Sequence, residues 1–84
     1  MGYESSFSQS VAGALRAEMS RKRKTSNELA TILHLSQSSA SRRMTGDVSL
    51  SLDEISAIAD WLDLPIERLL MPEVRIASSK QAIA

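Results

Sequence analysis

The stretch from Thr25 to Gly46 leaves room for two brief helices, a tight turn between them, and little else. Thr25-Ser26-Asn27-Glu28 reads as a capping box, in which the threonine hydroxyl accepts from the fourth residue's N–H and the glutamate reaches back to the cap. Leu29, Ala30 and Leu33 then share one helical face, and the helix is expected to end near Leu33 or His34. Ser36 is placed to cap the next helix, from Gln37 to about Met44. Gly46 follows Thr45 where a left-handed residue often ends a helix. So short a connection cannot bring two helices antiparallel, so they must cross steeply. A small side chain is needed at their closest approach, where Ala30 stands, and Leu29, Leu33, Leu35 and Met44 are expected to fill the shared core. Left outward on the second of the pair are Gln37, Ser38, Ser41 and Arg42, with no acid among them.

Helical spacing governs the flanks as well. Phe7, Val11, Ala14, Leu15 and Met19 predict an amphipathic first helix from about Ser6 to Arg23, ending in the basic run Arg21-Lys22-Arg23-Lys24. Cations there also suit the negative end of a helix dipole. Ser51-Leu52-Asp53-Glu54 is a second capping box, opening a helix expected to carry Leu52, Ile55, Ile58, Ala59 and Leu62 inward. Pro65 is suited to start a short fifth helix through Leu70, and Pro72 to stop it. Beyond it Val74 and Ile76 alternate with charges in a weakly strand-like way, and disorder is expected from Ala77. The expectation is an all-α, five-helix domain over residues 6–71 with a short C-terminal tail over 72–84, a candidate dimer arm.

Composition removes several classes of function. A chain of 84 residues supports one small core. No cysteine means no disulfide framework and no thiolate chemistry, and a single histidine makes a multi-histidine metal or catalytic centre untenable. The acids fall on what read as solvated helix faces with nothing to pair with His34 as nucleophile or base, so no enzyme is expected. No apolar run approaches the ~20 residues of a membrane span, and no secretory leader pattern is visible. The expected location is therefore cytoplasmic.

Net charge is zero, yet its distribution is uneven. Between Arg16 and Gly46, Arg16, Arg21, Lys22, Arg23, Lys24, Arg42 and Arg43 face only Glu18 and Glu28. Between Asp47 and Ile76, Asp47, Asp53, Glu54, Asp60, Asp63, Glu67 and Glu73 face only Arg68 and Arg75, and Glu4 and Lys80 cancel. One surface is expected to attract polyanions and another to repel them. Short polar side chains let a helix enter a major groove about 12 Å wide, where glutamine can pair with adenine and arginine with guanine.

These segments resemble the phage-repressor-like helix-turn-helix domains of the Cro and Xre type, the lambda-repressor-like fold, over roughly Val11 to Leu70. The resemblance is carried by Glu28-Leu29-Ala30, Leu35-Ser36, Ser41-Arg42-Arg43-Met44-Thr45-Gly46, Leu52-Asp53-Glu54-Ile55, Ile58-Ala59-Asp60-Trp61-Leu62 and Pro65-Ile66-Glu67-Arg68-Leu69-Leu70. It departs from that pattern at His34, where glycine is usual, at Ala40, usually a β-branched aliphatic, and at Arg43, usually an aliphatic. The resemblance implies base contacts by Gln37, Ser38, Ser41 and Arg42. Phosphate contacts are implied or suggested for Ser26, Asn27, Arg23, Lys24, Arg43 and Thr45.

It further implies a transcriptional regulator, most simply a phage or prophage repressor in a bacterial host, associated with the nucleoid. It would bind an inverted-repeat operator on double-stranded DNA as a homodimer, with no cofactor, metal, small-molecule ligand or membrane involved. Trp61, Leu70, Met71, Val74 and Ile76 are the candidate dimer residues. The alternative is an antitoxin or antirepressor-like protein whose acidic C-terminal half binds a protein partner.

Overall fold

The computed structural model describes residues 2–70. Five helices follow one another: α1 (Gly2–Arg21), α2 (Ser26–Leu33), α3 (Gln37–Thr45), α4 (Leu52–Leu62) and α5 (Glu67–Leu70). No strand occurs among the described residues. The all-α, helix-turn-helix-type expectation is met. Pro72, Met71, Val74 and Ile76, with everything expected of them, lie outside the described residues.

Local chemistry accounts for the element ends. Both capping boxes form: the Glu28 N–H donates to Thr25 Oγ1 and the Thr25 N–H to Glu28 Oε1, and Ser51 and Glu54 repeat the arrangement. Ser36 caps α3 by accepting from the Ser39 N–H at 3.2 Å. The C-terminal ends of α1, α2 and α4 share one device. Arg23, His34 and Asp63 adopt left-handed backbone with φ near 58°. The residue after each, Lys24, Leu35 or Leu64, returns its N–H to the carbonyl five residues back. This is the Schellman arrangement, built on residues with a Cβ where glycine would be unstrained. α1 thus stops at Arg21, two residues short of expectation, because the chain has already turned at Arg23.

Gly46 serves two constraints at once. Its φ is +89°, and a Cβ added there would stand 3.0 Å from Gln9 Cγ and 3.2 Å from Gln9 Cα. The end of α3 therefore lies almost on the backbone of α1. Ala12, fully buried in α1, stands 3.5 Å from the same point.

The core gathers Leu15 and Met19 from α1, Leu29 and Ala30 from α2, Ala40 from α3, Ile55, Ile58 and Leu62 from α4, and Leu69 from α5. α2 packs on α3 and α4, and α1 on α3 and α5. Three expected core residues sit differently. Phe7 is 57% exposed and Leu52 76% exposed. Leu52 opens its helix, and because side chains tilt toward a helix's N-terminus it points past whatever covers the later turns. Phe7, in the second turn of α1, borders an open cleft with Val11, Val48 and Leu50. Leu35 is only half-buried, its backbone committed to the turn.

α5 is held by charge as well as by Leu69. Arg68 Nη1 lies 3.2 Å from Oε2 of Glu18, a buried acid on α1 that also pairs with Arg21 at 3.9 Å. α5 begins at Glu67, and the Pro65 carbonyl accepts the Arg68 N–H in the turn before it.

Two substitutions test these ends by urea denaturation. His34→Gly is expected to stabilise the fold by about 0.5–1 kcal/mol, by removing the left-handed penalty. Gly46→Ala should cost at least ~2 kcal/mol, since both the backbone angle and Gln9 oppose a side chain there.

Candidate nucleic-acid interface

Taking Ala40 as the fully buried line of α3, an advance of 100° per residue puts Ser38, Ser41, Arg42 and Thr45 about 100–200° away, on the opposite side. All four are exposed. Gln37 and Arg43, each three residues from Ala40, fall within about 60° of the buried line. These two angles explain the fates of both side chains.

Gln37 is exposed because it opens the helix, yet its amide turns toward α2: Nε2 donates to Ser26 Oγ at 2.8 Å. The bond spans the two helix N-termini and leaves Gln37 its carbonyl oxygen and a second N–H. Arg43 turns inward. Its Nε lies 3.1 and 3.2 Å from the two Glu54 oxygens, and its Nη1 donates to the Ser39 carbonyl at 3.2 Å. The side chains of Arg43 and Glu54 are each only 18% exposed. Arg43 was expected to contact phosphate; in the structure its guanidinium instead ties α3 to the first turn of α4. The signal was present in the sequence, because Arg43 shares a helical side with Ala40.

Thr45 is exposed, but its hydroxyl donates to the Arg42 carbonyl at 3.0 Å, so its proton is committed within the helix. A further clamp that the sequence reading missed comes from α1, where Arg16 Nη1 donates to the Met44 carbonyl at the end of α3. Nothing local marks that pair, twenty-eight residues apart.

Around this face, Asn27, Arg23 and Arg42 are exposed, while Ser26 and Lys24 are half-buried. Among the described residues no carboxylate pairs with Arg23, Lys24 or Arg42; the ion pairs are Arg21–Glu18, Arg43–Glu54 and Arg68–Glu18. The N–H groups of Ser26 and Asn27 open α2, where the first turn has no intrahelical acceptors and the dipole is positive. α3 has no acid in its first turn. The arrangement can therefore offer an anion backbone N–H groups, hydroxyls and unpaired cations beside the exposed polar stripe of α3.

Elsewhere, Asp53, Asp60, Asp63 and Glu67 are exposed on α4, on the turn after it and on α5. Trp61 and Leu70, expected at a dimer contact, are half-buried against the chain's own core. Among the described residues no helix is long and apolar enough to cross a membrane, and no three His, Asp or Glu side chains gather as a metal site would need.

Adjacent arginines thus carry different roles, which denaturation separates. Arg43→Ala is expected to cost about 1–3 kcal/mol of stability, since it strands a half-buried carboxylate. Arg42→Ala should stay within ~0.5 kcal/mol.

Among known protein families, the model described as the BetR domain matches residues 3–80. No curated protein and no solved structure matches the chain.

Proposed function

Because this chain belongs to the BetR domain family, whose small helical domains are associated with DNA-binding regulators, we propose that α3 is its DNA-recognition helix and that it acts by binding rather than catalysis. The observation that carries this reading is the acid-free outward stripe of α3, flanked by unpaired cations and the open N-terminus of α2. Ser38, Ser41 and Arg42 face the base edges. Gln37 joins them, its amide braced by Ser26 while keeping the donor and acceptor that adenine requires. Ser26 and Asn27 meet one phosphate through backbone N–H groups, and Arg23 and Lys24 meet its neighbours. Arg43 belongs to the scaffold, and Thr45 contributes at most an acceptor.

The finer reading is a Cro/Xre-type repressor, of phage or chromosomal origin, working in the bacterial cytoplasm on nucleoid DNA. One module makes few base contacts, so a homodimer on two half-sites about one helical turn apart supplies useful affinity. Partner binding through the exposed acids Asp53, Asp60, Asp63 and Glu67 is the second reading, favoured by their lying apart from the basic surface in the sequence.

Selection of duplexes from a random pool at ~150 mM salt tests this, since counterion release already suppresses purely electrostatic binding there. An inverted repeat is the expected product. On that site Gln37→Ala and Arg42→Ala should each weaken binding by ~1–3 kcal/mol and relax preference at one base pair. No enrichment by folded protein would favour the protein-partner reading.

A further inference from the structure

Within the basic run 21–24, Lys24 alone is not fully exposed. Its Nζ lies 5.6 Å from the centre of the Trp61 ring, inside the range at which an ammonium is attracted to an indole face. The backbone dictates this placement. Arg23 is left-handed, and the Lys24 N–H donates to the Met19 carbonyl at 2.8 Å, which folds residue 24 back across the end of α1 instead of out to water. Trp61 stands in the last turn of α4, half-buried against the core, so its ring is a fixed platform. That turn contains no basic residue of its own, and Lys24 brings a cation to its negative end.

We propose that Trp61 is a positioning residue for phosphate binding: its indole face fixes the ammonium of Lys24, the residue immediately before the Thr25 cap of α2. The proposal rests on the DNA reading above and assigns Trp61 a role within its own chain in place of a dimer contact. The ring occupies one side of the ammonium, and the three N–H donors leave others directed to solvent and a phosphate oxygen. A lysine free in solution would have to surrender its rotamers on binding, whereas one already resting on a ring surrenders fewer. Arg23, exposed and left-handed, lacks such a support and serves as the internal contrast.

The test uses the full chain, a duplex of arbitrary sequence and a salt titration, so no operator need be known. Lys24→Met is expected to lower the salt slope by about one. Trp61→Leu should raise Kd about two- to five-fold at fixed salt, while Trp61→Phe, which keeps a ring, stays close to the parent. In a Lys24→Met background Trp61→Leu should add nothing further. Should Trp61→Leu fail to fold, Trp61→Met serves as the ringless variant, with circular dichroism checking both. In the free protein, upfield ring-current shifts of the Lys24 side-chain protons, lost in the ringless variant, test the pairing without DNA. Equal weakening by Trp61→Leu in both backgrounds would overturn the proposal, as would no weakening while Lys24→Met still binds less tightly. A parent chain that binds no DNA, with the ring-current shift intact, would instead contradict the DNA reading on which the proposal rests.

Discussion

One carboxylate, that of Glu54, decides how α3 sits on the rest of the molecule. Its Oε1 accepts the Ser51 N–H, closing the capping box that starts α4, and the same group receives Arg43 from α3. The start of one helix and the rotation of another are therefore settled at a single half-buried site. Arg16 at the Met44 carbonyl and the close approach of Gly46 to Gln9 hold the same end of α3 from the other side. With Gln37 tied to Ser26, the helix is restrained at both ends, and the side chains left over are the ones that can work. A contact surface made of short, rigidly mounted polar groups loses little freedom on binding.

That arrangement also explains why zero net charge is compatible with a polyanion partner. The acids nearest the basic surface are spent internally: Glu18 on Arg21 and Arg68, Glu28 on its cap, Glu54 on Arg43 and its own cap. Apart from Glu28 at its cap and Asp47 just past the end of α3, the exposed acids of the described residues lie on and after α4, and among those residues Arg23, Lys24 and Arg42 have no carboxylate partner. Binding to DNA then depends on where the cations are, with the total playing little part.

Features written in neighbouring residues were legible in the sequence. Both capping boxes, the Ser36 cap, the left-handed Gly46, and the outward set Ser38, Ser41 and Arg42 follow from spacings of a few residues, and they agree with the structure. What escaped was of two kinds. Pairs distant in the chain, such as Arg16 with Met44, Lys24 with Trp61 and Glu18 with Arg68, depend on how helices cross, which no local pattern encodes. Incomplete cover was the other kind: Leu52, at the start of α4, and Phe7, beside an open cleft, have the periodicity of core residues but stay exposed. Arg43 lies between these cases. Its place at the end of the helix suggested a phosphate contact, although its three-residue offset from Ala40 already placed it toward the buried side.

The central claim is that the exposed side of α3, together with the start of α2, is the surface that meets DNA. Amide chemical-shift mapping of the full chain, titrated with a duplex recovered by selection, examines that surface directly. The expected result is that the largest changes fall at Ser26, Asn27 and from Gln37 to Arg42, with Asp60, Asp63 and Glu67 little affected. Changes concentrated on α4 and α5, with α3 silent, would contradict it.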